Sequence, residues 1–375
     1  MSILIWLFKF HLRVIYFFLK LLPTNQKKIV LITRQSNTKS LDFILIEEEV
    51  AKNYPDYKVV SITKKLDKNL LSAISYYFNM YKQMYHLATS KTCLVDTYVI
   101  PVSILKHKKN LLIIQLNHGI GNIKKFAYQT LDKESGKGIK MAKLMNMHCN
   151  YDYVISTSEE TSKFYAEAYN MDISKMINAG PPKIDYILNI SSKKEEVLNK
   201  YPDIKSKPVI LYVSTFRTYE DDYLDKLIEN LPLDKYNVIM HLHPVIYSLH
   251  PELDEKINIE GIYRCKDIPT VDLLSVADYA ITDFSSFIFE SAILEIPTYL
   301  YVPDYDKYVE KNGLNVDLLK ELPDYAFKDA KEMFKNIEKN KYDKKVLRSF
   351  REKYVANCEG NSTATLVKIL IEGKG

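Results

Sequence analysis

Residues 277–294 read ADYAITDFSSFIFESAIL, and how this stretch is parsed decides the fold. A short apolar run ending at Thr282 has strand character, Asp283 turns the chain, and Ser285 and Ser286 open an apolar helix. A strand that passes through a tight polar turn into a helix is half of a βαβ unit. The free N–H groups at such a helix start, the two hydroxyls and the positive end of the helix dipole together prepare an anion site. A plain N-cap role would account for Asp283 or Ser285 equally well. Glu290 falls one turn beyond Ser286 on the same helix face, among apolar neighbours, where a carboxylate needs a partner such as ribose hydroxyls.

The same alternation extends in both directions. VILYVST (209–215), NVIMHLH (237–243) and INIEGIY (257–263) precede this unit, and TYLYV (298–302) follows it. Upstream of a Lys/Ser/Pro-rich stretch at 191–208, a first series contains IVLIT (29–33), VVSIT (59–63), TCLV (92–95), LLIIQL (111–116), YVIST (153–157) and 176–179. Helical spacing lies at 41–52 and 69–88. Strands alternating with helices of this length mean parallel sheets covered on both faces. Two such series predict an α/β protein of two Rossmann-like domains, 27–190 and 191–375, facing a central cleft that holds ligand. Helical stretches near 329–338, 343–356 and 363–372 close the chain and can cross back to brace the first domain.

Composition narrows the function classes. The chain has 375 residues, 47% of them hydrophobic, and a net charge of +5, a globular balance with room for two domains. Its four cysteines, at 93, 149, 265 and 358, form no CxxC pair and have no histidine at zinc spacing. Neither a disulfide framework nor a structural zinc is expected, and a reducing compartment fits. Ten glycines and 14 prolines without a tandem period exclude a repeat protein. The basic charge is concentrated in residues 1–22, which hold Lys9, Arg13 and Lys20 and no acid, and in 106–143, where nine lysines face Asp132 and Glu134. The rest is mildly acidic, so the chain has two places that attract an anionic partner.

On a helix, Ser2, Lys9, Arg13, Tyr16 and Lys20 fall within roughly 60° of one another, with Trp6, Phe10, Phe17 and leucines around the rest. Spanning a bilayer would place Lys9 and Arg13 near the hydrocarbon centre at about 2.5–3.5 kcal/mol each. An amphipathic helix over 1–22 lying in the membrane interface, basic stripe toward the headgroups, avoids that cost. It predicts a peripheral protein on the cytoplasmic face of an anionic membrane surface. The alternative is a helix packed on its own domain.

Several polar residues sit where strands end. His118 follows LLIIQL in Gln115-Leu116-Asn117-His118-Gly119, where Gly119 lets the chain turn and the imidazole project as a general base. Lys124 and Lys125 follow in the same loop and suit phosphate. Arg217, two residues past VILYVST, is a candidate bidentate clamp for a diphosphate. His241 and His243 share a strand face; His243 suits donation to a phosphate oxygen, and one of the pair can equally face the core. Asp304-Tyr305-Asp306 has D-x-D spacing that can hold a divalent cation, but lies in a Pro/Tyr loop that reads as solvated. No metal or other cofactor is expected.

The order of these motifs resembles the CDP-glycerol glycerophosphotransferase family, the teichoic-acid primases and polymerases, over roughly residues 29–360. NHGIGNIKK (117–125), AGPPKIDYI (179–187), VSTFR (213–217), HLHP (241–244) and the segment around TDFSS (282–286) are similar to the family's motifs in the family's order. Ile120 and Gly121, Lys183, Ser214 and Glu290 depart from its usual residues. The resemblance implies a GT-B fold, His118 as base, and His243, Arg217, Ser285 and Ser286 around the pyrophosphate of a CDP-linked donor, with Thr282 and Asp283 shaping that site. The expected reaction is transfer of a polyol phosphate, in the first instance glycerol phosphate, from a CDP-polyol donor to a hydroxyl of a lipid-linked acceptor, releasing CMP. A nucleotide-sugar glycosyltransferase and a non-catalytic membrane scaffold are the rival readings. Nucleic-acid binding is not expected, because the basic regions contain no nucleic-acid module.

Overall fold

The computed structural model describes the chain except for residues 1, 68, 134–135, 216, 218–221, 243, 357 and 374–375. It divides into two units: Met1–Ile120 with Phe126–Asp185 and Asn357–Gly375, and Gly121–Lys125 with Tyr186–Ala356. The units differ from the contiguous halves 27–190 and 191–375, because one short piece of the first series and the whole C-terminal helix change sides.

In the first unit, β1 (Asn25–Thr33), β2 (Lys58–Thr63), β3 (Ser90–Val95), β4 (Leu112–Gln115), β5 (Tyr153–Ile155) and β6 (Met176–Ile177) form one parallel sheet of order β2-β1-β3-β4-β5-β6. Alternation along β1 sends Ile29 and Leu31 to one face and Val30 and Ile32 to the other. Helices α1 (Ser2–Leu19) and α3 (Leu70–Thr89) cover the second face with Leu12, Tyr16, Met80, Met84 and Leu87. Helix α2 (Leu41–Asn53) and the C-terminal helix, Ser362–Glu372, cover the first with Phe43, Ile46, Leu366, Val367 and Leu370. Local chemistry fixes the helix starts. Ser40 Oγ accepts from Phe43 N at 3.3 Å, Asn69 Oδ1 from Ser72 N at 2.7 Å, and Asp185 accepts from the backbone N–H groups of Ser362 and Thr363 at 3.0 and 2.7 Å. Gly180, at φ +70°, passes where a Cβ would lie 2.8 Å from Ile184 Cδ1.

Helix α1 is seated differently from the interfacial expectation. Leu12 and Tyr16 are buried, the Tyr16 hydroxyl bonds to His107 Nδ1 at 2.8 Å, and Lys9 donates to Leu144 O and Asn146 Oδ1 at 2.8 and 3.0 Å. Lys20 donates to Lys106 O at 3.1 Å. Much of the basic stripe is thus spent on the protein's own acceptors, and the helix packs on its own unit. Its apolar residues occupy two faces, however, and Ile3, Trp6, Phe10 and Phe17 on the outer one are exposed, as are Leu70, Leu71 and Phe78 on α3. No described helix is long and apolar enough to cross a membrane.

The second unit repeats the architecture. β7 (Val209–Val213), β8 (Asn237–His241), β9 (Ile262–Tyr263), β10 (Tyr279–Thr282), β11 (Thr298–Tyr301) and β12 (Ala326–Phe327) form a parallel sheet of order β12-β11-β10-β7-β8-β9. INIEGIY contributes only its last two residues, and β12 was not anticipated. Two further helices matter to the site. α4 (Ile139–Leu144), in the first unit, was not foreseen; α5 (Phe287–Ile293) is the short helix that follows β10. Phe289 of α5 stacks on Phe350 with ring centroids 5.5 Å apart. Residues 121–125 join this unit as an extended piece: Lys124 bridges Leu314, Lys125 N donates to Gly313 O at 3.1 Å, and Asn315 N to Ile123 O at 2.7 Å. Gly121 makes the junction sterically allowed, since a Cβ there would lie 2.8 Å from the Phe289 ring.

Strand order reverses between β1 and β3 in the first sheet and between β7 and β10 in the second. Loops leaving the C-terminal ends of strands at such a reversal diverge, and ligands of open α/β sheets bind there.

Candidate active site

His118 opens into a cavity of about 790 Å³ in the first unit, at the C-terminal ends of β1, β3 and β4. Its presentation differs in detail from the sequence reading. The left-handed residue is Asn117, at φ 64°, whose Oδ1 accepts from His118 N at 2.9 Å, whereas Gly119 needs no positive φ. Asn tolerates that region because its short side chain bonds locally. The ring is exposed to the cavity, yet desolvation by the surrounding walls, and after it the charge of Lys183, hold the imidazole pKa below its ordinary value, against an opposing hydrogen bond to the Asp96 backbone. His118 is therefore neutral at neutral pH and able to accept a proton.

Strand-end reasoning stopped short of the rest of this cavity. Asp96, one residue past β3, is buried, and one oxygen, Oδ1, has no partner among the described residues. Burial pushes its pKa up to about 6, against hydrogen bonds from Thr33 and Thr97. Gln115 Oε1 is also buried without a partner, although its Nε2 donates to Tyr169 OH at 3.2 Å. Arg34, one residue past β1, and Lys137 lie over the same Tyr98 ring at 5.0 and 5.3 Å, and neither side chain meets a carboxylate among the described residues. Partial desolvation and the Arg34 charge lower the pKa of Lys137, which is exposed; burial, Arg34 and Lys137 hold His148 down to about 3. The cavity thus combines a positive field with orphaned hydrogen-bond acceptors, an arrangement that suits a ligand with hydroxyl groups and negative charge. The signal available in the sequence was the one used for His118: a polar residue just past an apolar strand.

In the second unit the predicted residues gather around Arg217. Its Nη1 pairs with Asp283 Oδ2 at 2.6 Å, and Nε and Nη2 clamp Asp304 at 2.7 and 3.0 Å, with the side chain 2% exposed. The guanidinium also lies 4.1 Å from the Tyr223 ring centroid. Burial acts to lower its pKa, but Asp283 and Asp304 more than offset this and hold it well above the ordinary value. The free diphosphate clamp read from the sequence is therefore the centre of a closed ion network, because two buried aspartates compete for its donors. Asp304 likewise is no solvated loop residue, whereas Asp306 is exposed and pairs with Lys328. Asp283 also accepts from Thr215 N with both oxygens at 2.9 Å, and Thr282 Oγ1 donates to Val213 O at 2.8 Å, so both hold the β7 and β10 loops together.

Ser285 and Ser286 are half-buried at the start of α5; Ser285 Oγ accepts from Phe287 N at 3.3 Å. Glu290 is buried farther along α5. Lys124 approaches the Arg217 network from the 121–125 piece, 5.6 Å from the Tyr308 ring. Burial lowers its pKa, Asp283 raises it and Arg217 lowers it. Lys125 flanks it, with its side-chain carbons against Gly313. His243 lies outside the described residues; His241 is half-buried, its pKa lowered by burial against a hydrogen bond to the Arg264 backbone. Among the described residues no group of His, Cys, Asp and Glu could hold a metal ion, and none of the four cysteines is in a disulfide.

The chain is similar to several known proteins. A teichoic acid ribitol-phosphate primase of Bacillus spizizenii strain W23 is 30% identical over 357 residues, covering 92% of this chain and 90% of the relative. A teichoic acid glycerol-phosphate primase of Bacillus subtilis strain 168 is 25% identical over 391 residues, covering 98% of each. Among solved structures, the wall teichoic acid polymerase TagF superposes with a TM-score of 0.71 at 19% identity over 92% of this chain and 88% of that one. The UDP complex of S. aureus MnaA superposes with a TM-score of 0.57 at 11% identity over 92% and 95%. These two likenesses make the fold GT-B-like. Residues 14–372 match the family described as CDP-Glycerol:Poly(glycerophosphate) glycerophosphotransferase, and the chain belongs to that family.

Proposed function

We propose that this CDP-polyol phosphotransferase of teichoic acid synthesis moves glycerol phosphate from CDP-glycerol to a hydroxyl of a lipid-linked acceptor. The acceptor hydroxyl enters the first-unit cavity, where His118 takes its proton. The resulting oxygen attacks the donor's β-phosphorus; a new P–O bond forms, the bridging P–O bond breaks, and CMP leaves with the electron pair. Donor phosphates are held in the second unit by Lys124, Ser285, Ser286 and His243, while Arg217, Thr282 and Asp283 fix the loops that carry them. Lys125 and Glu290 are the remaining donor-side contacts of this reading. Charge on the equatorial oxygens is met by fixed donors. The outer apolar face of α1, continued by α3, supports peripheral attachment to the cytoplasmic face of the membrane.

The observation that carries the reading is His118: an exposed imidazole open to a ligand-sized polar cavity, its pKa lowered by desolvation among the cavity walls and by Lys183. The family description names glycerol phosphate, and the 30%-identical ribitol-phosphate primase makes CDP-ribitol the donor to set against it. The test is to incubate the protein with each CDP-polyol and a panel of lipid-linked acceptors, weighing products by mass spectrometry. CMP release with an acceptor gaining polyol phosphate is expected, and His118→Ala loses about 10²–10⁴-fold in kcat/KM. A nucleoside diphosphate by-product would instead mean glycosyl transfer. Unchanged turnover in His118→Ala would remove the base.

A further inference from the structure

The loop that carries His118 is tied down on both sides. Leu116 N donates to Val95 O at 2.7 Å before it, and Thr157 Oγ1 donates to Ile120 O at 3.2 Å after it. Between these ties stands Asn117, 3% exposed and left-handed at φ 64°, with Oδ1 accepting from His118 N at 2.9 Å. The imidazole has an anchor of its own, the Asp96 carbonyl, which accepts from one ring nitrogen. That nitrogen keeps its proton, so the other is the one left to act as base. The far end of the Asn117 amide is unfinished. Its Nδ2 is buried without a hydrogen-bonding partner among the described residues, and so is the Tyr165 hydroxyl. The Asn117 side chain nevertheless opposes the rise that burial gives the Tyr165 pKa, so the amide turns its donor toward the phenol and its acceptor toward His118. Turning it over would set the NH2 group against the His118 N–H.

We propose that Asn117 is a positioning residue for the transfer: its side chain, steered by Tyr165, holds the His118 backbone so that the ring stays on the Asp96 carbonyl in one tautomer and keeps its other nitrogen free. The proposal rests on the reading of His118 as base and adds what makes it one. Left-handed backbone alone does not call for asparagine, since glycine enters that region without steric cost, as Gly180 does at φ 70°. The side chain has a second task. It satisfies the N–H of the residue that follows and so ties the direction of the imidazole to a fixed strand end. Of the residues that tolerate this backbone, aspartate keeps the acceptor and glycine loses it. The two substitutions therefore separate the side chain from the turn.

The kinetic test compares Asn117→Gly, Asn117→Asp and His118→Ala in the full chain, with the CDP-polyol and acceptor that support CMP release, reading kcat and donor KM across pH. In Asn117→Gly, kcat is expected to fall by about 10–100-fold with donor KM changed by less than about twofold. Asn117→Asp should recover kcat to within about threefold of the parent on the alkaline side, with its acid limb moved up because the new carboxylate favours the imidazolium. Full kcat in Asn117→Gly, or equal losses in the two variants, would overturn the proposal. The second measurement needs no turnover: NMR of histidine-labelled protein, with the His118 signals identified by their absence in His118→Ala. The parent should show one neutral tautomer titrating below the ordinary imidazole value, and Asn117→Gly a mixture of tautomers titrating closer to it. One tautomer with an unmoved pKa in Asn117→Gly would overturn the proposal even if the rate falls. If His118→Ala loses turnover while both readouts of Asn117→Gly stay at the parent's values, the base stands and the positioning role fails. If the ring responds as expected but His118→Ala turns over unchanged, Asn117 positions His118 and the reading of His118 as base fails.

Discussion

Each sheet places an arginine just past its first strand and an aspartate just past the strand across the order reversal, and the two pairs end in opposite states. Arg217 and Asp283 touch at 2.6 Å, with Asp304 closing the other side of the guanidinium. Among the described residues Arg34 has the Tyr98 ring and no carboxylate, and Asp96 keeps one buried oxygen without a partner. The second-unit pair is complete without ligand, so it shapes loops. The first-unit pair is incomplete, so it has bonding capacity left for substrate. The same residue type at the same topological position can therefore be scaffold or binding group, and its partners decide which.

The largest expected effect breaks the closed pair. Arg217→Met leaves Asp283 and Asp304 buried without a counter-charge, and we expect a loss of about 3–5 kcal/mol in denaturant unfolding. Arg34→Met in the same experiment should cost less than about 1 kcal/mol, since no buried carboxylate loses its partner. Equal losses would erase the contrast.

Next comes Asp96. Its folded pKa, about 6, lies above the unfolded value of about 3.9, so the folded state holds the proton more tightly. Its contribution to stability is full below about pH 4 and is lost as pH rises through about 6. Asp96→Asn should therefore stabilise the protein by about 1–3 kcal/mol at pH 8 and by nothing at pH 4, while acceptor KM rises. Thermal unfolding across that range reads the first effect and initial rates the second; a destabilised variant at pH 8 would show that Asp96 is already paired.

A smaller effect concerns His118. Because burial and Lys183 lower its pKa, the acid limb of the kcat/KM profile should lie below the ordinary imidazole value. Lys183→Met removes one of the two causes, so the limb should move up, by less than about one unit. Smallest of all, Asp306→Asn should leave the unfolding midpoint unchanged, since Asp306 is exposed and its pair with Lys328 is screened. A response like that expected of Asp304 would place both aspartates in the network.

Much of this was legible in the sequence. Runs such as LLIIQL and YAIT contain β4 and match β10, because strands buried on both faces have little freedom of composition. The ends of those strands led to His118, which lines the first-unit cavity, and to the TDFSS turn, which follows β10. What the sequence hid were partnerships across distance. Nothing near Arg217 announces Asp304, 87 positions away, and nothing in NIKK announces its docking on residues 313–316. Arg34 and Asp96 were hidden in another way, since single polar residues after a strand are common and only the strand order shows that these two stand at a reversal. Helix α1 was only half legible, because its apolar residues cover two faces and periodicity cannot say which of them meets protein.

The C-terminal helix has a consequence for how the molecule is made. Leu366, Val367 and Leu370 are buried beneath the first sheet, each adding about 1.5–3 kcal/mol of apolar burial to a layer otherwise built from residues before 180. Translation delivers them only after the whole second unit has emerged, roughly 10–40 s later at about 5–20 residues per second. During that interval the body synthesised first waits with one side of its sheet uncovered, and the second, though later on the ribosome, can finish before it. An order of maturation opposite to the order of synthesis is built into the placement of one helix.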